Sequence, residues 1–544
     1  MASHNEVYEL RVTGKENNMN DIANRSPHHN TASNEKVENG SKQRMPLIGP
    51  RGENLVSVTR IRRLFNFPQI FAFSLTFMST WEGMNTNMYF ALYEGGPQVF
   101  AWSILIVYFG AISQAASIAE MASTVPIAGA QYHWTYHLAP QRVKRFTTWM
   151  QGWMTWFGWV SLLAGATNIT AIILQQLVML NNPGYVPQSW HVTLIMVVML
   201  LSQGVVNSIG WMFAFVPWLE LIAGILHICL FVVFLVVYTT MGTRHSGEWV
   251  FFEHQISSGW TNTYVAWNIG LLTGVWSFTG FDGAVHMSEE VRKAKEAVPR
   301  ATFWSLAVNG VLGYAMVIAI LASMGSMDDV LNSVFPVAAI LLRVTGSVKA
   351  TTAMICGLFI ISFWATLTSI ASVSRLTWAW ARDGGLPRWF AFVHPKHLVP
   401  VRAIWLSLII VMLISLLNVG STAAFSAITA LSSFALYFSY AIAIASMLFT
   451  RWSSVHGGRS LELGAWNLGR YGVYINSFAL TYTIYCMIWL PIPGTLPVTA
   501  VNMNYAGPIF LFVFFIALFL WFVRARKHWE GPNVAIIDFI KAQE

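Results

Sequence analysis

Residues 276–290 read Trp-Ser-Phe-Thr-Gly-Phe-Asp-Gly-Ala-Val-His-Met-Ser-Glu-Glu and close an apolar run that opens near Tyr264. A run of that length belongs at membrane depth, yet it carries Asp282 between Gly280 and Gly283, with His286 one turn later. Each glycine costs a helix about 1 kcal/mol against alanine, and a carboxylate at membrane depth is costly too. The segment is a poor plain anchor. It predicts a broken helix whose freed backbone groups line a polar cavity. Ser79, Thr80, Trp81, Glu82 and Gly83 make a second interruption inside the apolar run 68–93. Two interrupted segments, first and sixth in order, point to a transporter built from inverted repeats.

Composition supports the membrane reading. Only 10% of the 544 residues are charged and 55% are hydrophobic, with a mean hydropathy of +0.52. A soluble domain carries roughly 25% charged residues, so this chain has too few to cover a water-facing surface. The net charge of +8 comes from basic residues spread over short loops rather than gathered in one patch, which argues against a nucleic-acid partner. Cys229, Cys356 and Cys486 all fall within apolar runs with no C-x-x-C spacing, so neither disulfides nor a zinc site are expected. No phosphate loop, nucleophile motif or metal-ligand spacing appears. No cofactor is expected, and neither is an enzyme.

Twelve spans of roughly 20 residues are expected near 68–93, 98–122, 146–179, 191–208, 213–240, 264–288, 301–324, 350–374, 403–418, 421–449, 472–490 and 506–524. The ninth and tenth are almost continuous. Residues 1–60 are rich in Asn, Ser, Lys and Glu and lack apolar periodicity, which predicts a disordered tail. The first apolar run begins only near Pro68, so no cleavable leader is expected. If the tail is cytoplasmic, the loops on its side hold fifteen basic residues against three opposite (Arg244, Arg343 and Lys349). That asymmetry places both termini inside. The transporter domain then covers 61–525, with repeat one at 68–240, an inverted repeat two at 264–449, and two further helices at 472–524. A short cytoplasmic tail follows at 526–544.

The buried acids set the chemistry. An ionised Glu82 in mid-span costs from about 3 to well above 10 kcal/mol and so needs a cation, a proton or water. Asp282 poses the same problem in the sixth span. Two carboxylates near one cavity suit an ammonium substrate or coupled proton binding. Trp81, Trp276, Phe278, Phe281 and the span-three tryptophans Trp153, Trp156 and Trp159 supply faces that attract cations. Plainer roles stay open for each: Glu82 as a partner to a neighbouring His or Lys, Asp282 as a cap on the resumed helix, His286 as structural, and the tryptophans as packing. Glu220 and His227 form a further polar pair in the fifth span.

Several motifs resemble the amino acid–polyamine–organocation superfamily of transporters. They include W-S-F-x-G-x-acid at 276–282, S-E-E at 288–290 with Pro299-Arg300, and Ser374-Arg375 with Ala-Arg-Asp-Gly-Gly-Leu-Pro at 381–387. Gly95-Gly96-Pro97, Ala-Glu-Met-Ala-Ser at 119–123, residues 126–134, Leu138-Ala139-Pro140, and the stretches 496–499 and 502–505 are similar to the fungal amino acid/choline branch, which includes choline and 4-aminobutyrate permeases. The resemblance covers about residues 68–525. It implies that Trp276 stacks on and occludes the substrate, and that Asp282 is an acidic position linked to proton sensitivity. It also implies that the backbone of 79–83 is an unwound turn holding the substrate's ammonium or carboxylate. Many amino acid permeases have a small Gly-rich turn there. This chain has Trp81-Glu82, which disfavours an α-carboxylate and favours a cation, although a protonated Glu82 would donate to a carboxylate.

The expectation is therefore a secondary active transporter in the plasma membrane, with the vacuolar membrane as the other location. It imports a small nitrogenous metabolite: choline or a related amine first, then GABA or another amino acid. The coupling ion is a proton, and the candidates to carry it are Asp282, Glu82, Glu220 and His286. The expected substrate-binding set is Ser79, Thr80, Trp81, Glu82, Gly83, Trp276, Phe278, Gly280, Phe281, Asp282 and Trp156. Another class, a nutrient-sensing receptor that binds without transporting, stays open. Tail lysines Lys15, Lys36 and Lys42 are candidate targets of ubiquitination machinery, by analogy with fungal permeases.

Overall fold

The structure is a computed structural model that describes residues 61–536 apart from 421 and 459. The predicted tail, with its three lysines, and the last residues of the chain lie outside the described residues. The described chain is all-helical, apart from a single isolated parallel bridge between Phe65 and Val291. Nine of its helices are long and apolar enough to cross a membrane.

That number is consistent with twelve spans for reasons visible in the backbone. The run Phe67–Thr124 counts once but turns sharply inside, at Gly96 with φ 71° and ψ −160°, just before Pro97. Only glycine adopts that conformation cheaply, and proline cannot continue the hydrogen-bond ladder. The sixth span is split, so its main helix, Thr263–Phe278, is short. Gly472–Trp489 is a further 18-residue helix. The nearly continuous ninth and tenth spans are Val401–Gly420 and Thr422–Val455.

Both predicted interruptions are present, in different forms. The first helix starts on a capping box, in which Asn66 and Gln69 exchange side-chain and backbone bonds, and it ends at Met78. Ser79 stands alone in the left-handed region at φ 40°, and the helix resumes at Thr80. The expected unwound turn over 79–83 thus narrows to one residue. Thr80, Trp81, Glu82 and Gly83 are helical. In the sixth span the helix stops at Phe278, Gly280 turns at φ 88°, and a short helix resumes over Gly283–His286.

The two broken segments touch. Thr80 Oγ1 donates to the Ser277 carbonyl at 3.2 Å. Thr263–Phe278 and Ala294–Ser323 pack along Thr80–Thr124, while Val348–Arg382 and Thr422–Val455 pack along Lys144–Asn181. One short helix carried no long apolar run to announce it: Gln131–Leu138, which lies against Lys144–Asn181 and Thr422–Val455.

At the end of the bundle where the described residues begin and end, the chain-terminus end, residues 529–536 fold back against the helices. Trp529 is buried beside Trp149 and Trp380, and its Nε1 donates to the Asp383 carbonyl at 2.8 Å. The Asp383 carboxylate accepts from Tyr132 Oη at 2.8 Å and from the Asn533 N–H at 3.0 Å, with His133 Nε2 3.0 Å away. Burial alone would raise this carboxyl, but His133, Arg382 and the Asn533 N–H hold it down at about 2. Removing one member of such a buried charged cluster costs about 3–5 kcal/mol. Asp383→Asn is therefore expected to lower the unfolding temperature of the purified protein and expose the C-terminal segment to protease. Because the folded value lies below the ordinary one, the stabilisation is present above pH ~4 and fades as pH falls toward 2. Melting curves recorded down that range check the sign.

Candidate functional site

The two breaks enclose a cavity of about 100 Å³ between the first, third, sixth and eighth spans. Ser79, Glu82 and Gly83 form one wall, and Trp276, Ser277 and Thr279 the facing one. The close approach of the two spans depends on Gly83: a Cβ there would lie 3.2 Å from Ser277 Oγ. Leu162 and Ala166 close the third-span side. Ser362, Ala365 and Ser369 present a small polar face of the eighth. Glu82 is the one ionisable side chain among the described residues lining the cavity. Thr86 and Asn87, half-buried one turn beyond Gly83, lead away from the chain-terminus end.

Glu82 is almost wholly buried. Its Oε1 lies 2.7 Å from His227 Nδ1, and Oε2 has no hydrogen-bond partner among the described residues. Behind it, Glu220 accepts from Thr76 Oγ1 at 2.9 Å. Trp81 points away from the cavity, against His227, Phe231 and Phe234 of the fifth span. First and fifth spans thus share a buried polar group of Thr76, Glu82, Glu220 and His227, of which Glu82 alone reaches the cavity.

Asp282 lies below the cavity floor, fully buried. It makes no cap on the resumed helix. Its Oδ1 accepts from Tyr440 Oη at 2.5 Å, and its Oδ2 accepts from Gln131 Nε2. His286 Nε2 lies 3.5 Å from Oδ2. The other ring nitrogen, Nδ1, is 2.7 Å from the Ala128 carbonyl and must carry a proton to bond there. A neutral His286 therefore turns a lone pair toward the carboxylate.

Farther toward the chain-terminus end, ion pairs link the spans. Arg375 Nε donates to Glu290 at 2.6 Å, and Arg382 grips Glu289 through two bonds of 3.0 Å.

Of the predicted substrate-binding residues, Ser79, Glu82, Gly83 and Trp276 line the cavity. Thr80 ties the broken helices together, Phe278 packs on Tyr108, and Phe281 packs on Tyr440. Gly280 and Asp282 form the layer below. Trp156 donates to Thr377 Oγ1 at 2.9 Å and stacks among Trp153 and Phe157, so it is a packing residue here. Sequence reasoning missed Gln131 and Tyr440, the partners of Asp282, and the face 362–365–369. The i, i+3, i+7 spacing of that face was a readable signal; the long-range partners left none.

Gly280 carries the floor. Its φ of 88° disfavours any Cβ, and a Cβ there would lie 2.9 Å from Leu162 Cδ2. Gly280→Ala is expected to cost about 1–3 kcal/mol in backbone strain alone and to lower the unfolding temperature. Gly184→Ala, whose Cβ would meet nothing within 4 Å, should leave it unchanged. Paired melting curves test this.

With the geometry in place, the similarities to known proteins can be set beside it. Residues 65–525 match the model of a family described as amino acid permease. An uncharacterized amino-acid permease of Schizosaccharomyces pombe is 29% identical, over 87% of this chain and 88% of its own length. The choline transporter of Saccharomyces cerevisiae is also 29% identical, over 87% and 83%. Amino-acid permease 2 of Neurospora crassa is 28% identical, over 87% and 86%.

Proposed function

The chain belongs to the amino acid permease family, and from that premise we propose that it imports a small nitrogenous cation, choline or a related amine, driven by a proton. It is a multi-pass membrane transporter and not an enzyme. The observation that carries the choice of substrate is the charge of the cavity. Its lining holds one carboxylate, Glu82, and no basic side chain among the described residues, with the Trp276 ring on the facing wall. An ammonium or quaternary group gains both from a carboxylate in a low-dielectric site and from an indole face. That one relative is named a choline transporter agrees with this reading.

A second reading, an amino acid or GABA, has its own support. The helix resumes at Thr80 directly after the left-handed Ser79, and the first N–H groups of a helix have no intrahelical carbonyl to bond. Such groups suit a carboxylate, provided a proton neutralises Glu82.

In the proposed cycle the protein faces outward, with both termini in the cytoplasm and the cavity open on the other side. The loop-charge asymmetry supports that orientation, and a plasma-membrane location fits an importer. Substrate enters beside Thr86 and Asn87 and settles between Glu82 and Trp276. A proton taken between Asp282 and His286 weakens the hold of that carboxylate on Tyr440 and Gln131. The repeats 68–240 and 264–449 then rock, parting the Glu290–Arg375 and Glu289–Arg382 pairs. A ligand can shift such an equilibrium only by its differential affinity for the two states. Proton binding at a site that changes between them meets that condition.

Uptake of labelled choline, GABA and a mixed amino acid panel into transport-deficient yeast at pH 5 and pH 7 tests the reading. Choline uptake should be faster at pH 5 and fall at least tenfold in Glu82→Gln. Amino acid uptake that ignores choline and survives Glu82→Gln would move the substrate to the second reading. Binding with no flux of any substrate would point to a receptor.

A further inference from the structure

Away from the transport cavity, a second concavity of about 280 Å³ lies at the chain-terminus end of the bundle, between the start of the first span and the start of the seventh. Arg292, Lys293 and Arg300 line it, with Glu296 as the one acid. All four are exposed, and none forms an ion pair with another described residue. Three cations and one carboxylate leave an excess of two positive charges around a hollow that no described anion fills.

The surroundings say what kind of anion fits. Phe67, 41% exposed, forms part of the wall and stacks on Phe71 one turn deeper along the first span, at 6.0 Å. From Arg300 the helix Ala294–Ser323 presents Trp304, 53% exposed, and then Val311, 61% exposed. Positions i, i+4 and i+11 share one helix face. The exposed stripe therefore passes from cations to an indole to an aliphatic side chain within a few turns. That is the order met on going from headgroup level into hydrocarbon. A soluble anion needs only the cations. A ligand with a phosphate at one end and acyl chains at the other uses the whole stripe.

We propose that this concavity binds the phosphate of an anionic phospholipid in the leaflet at the chain-terminus end. Its acyl chains lie along Phe67, Phe71 and Trp304. The site also has a mechanical consequence. Arg292 donates its backbone N–H to Phe65 O, and Leu64 and Phe65 donate to Glu290 O, so residues 64–65 and 290–292 are stitched together. A phosphate held by Arg292, Lys293 and Arg300 braces the stitch that joins the two broken spans where the bundle is closed.

The test needs no knowledge of the transported substrate. The full-length purified protein is equilibrated with phosphatidylserine or phosphatidylcholine in mixed micelles, and retained lipid is counted by native mass spectrometry. Wild type should retain phosphatidylserine preferentially. Arg292→Gln with Arg300→Gln should lose that preference, roughly fivefold for each basic side chain removed. Arg343→Gln, a cation of the separate helix Pro336–Thr345, should keep it. If the double variant fails to elute as a monodisperse protein, Lys293→Gln alone decides, with a partial loss expected. Trp304→Ser should weaken retention of the lipid without any change in charge. Equal retention of the two lipids by wild type, or full retention by the charge variants, overturns the proposal. So does displacement of the lipid by inorganic phosphate together with indifference to Trp304→Ser, which would mark a soluble-anion site.

Discussion

The arrangement around Asp282 is the constraint on which the rest of the site depends. A carboxylate with no exposed surface needs donors for both oxygens, because leaving either unpaired in a low-dielectric interior costs more than most side chains can return. Tyr440 and Gln131 supply them, one from the tenth span and the other from the short helix 131–138. Satisfying one acid therefore fixes two elements against the broken sixth span. Gly280 makes this feasible: its left-handed turn lowers the resumed helix so that Asp282 lies beneath the cavity and not in it. The cavity floor is a by-product of solvating a buried charge with protein groups.

The same logic explains what the sequence revealed and what it hid. Local features were legible. Glycines beside an acid in an apolar run cannot make a continuous anchor, and the sixth-span break falls at 279–282 as that argument requires. The first break was read over 79–83 because Glu82 and Gly83 look disruptive there. In the structure Gly83 serves close packing against Ser277, and the backbone turn belongs to Ser79, whose type gives no such warning. Trp156 lies outside the cavity lining for a related reason. Composition reports that an aromatic is present, while the face it occupies depends on a neighbouring span, here through Thr377. Tyr440 lies 158 residues from Asp282 and Gln131 lies 151 residues away, and no local pattern connects such distances.

Glu82 shows how two plain readings of one residue can both hold. It partners His227, as a structural acid would, and it also lines the cavity. The pair leaves Oε2 available, so binding a cation need not break the contact with His227. A carboxylate shared in this way ties the first span to the fifth at membrane depth. Glu220, held by Thr76 one turn before Ser79, extends that coupling to the other side of the break.

The distribution of charge along the bundle decides which end must yield. Between the cavity and the chain-terminus end stand the Asp282 cluster, Arg375 with Glu290, Arg382 with Glu289, and Asp383 with Tyr132 and His133. Toward the opposite end the lining offers only neutral Thr86, Asn87, Thr170 and Ser362. Separating buried ion pairs is costly unless water or new partners replace each contact, whereas parting neutral groups is cheap. The end held by buried ion pairs is therefore the harder of the two to part. Opening that end requires each buried ion pair to find water or a new partner, a demand that the neutral lining at the other end does not make.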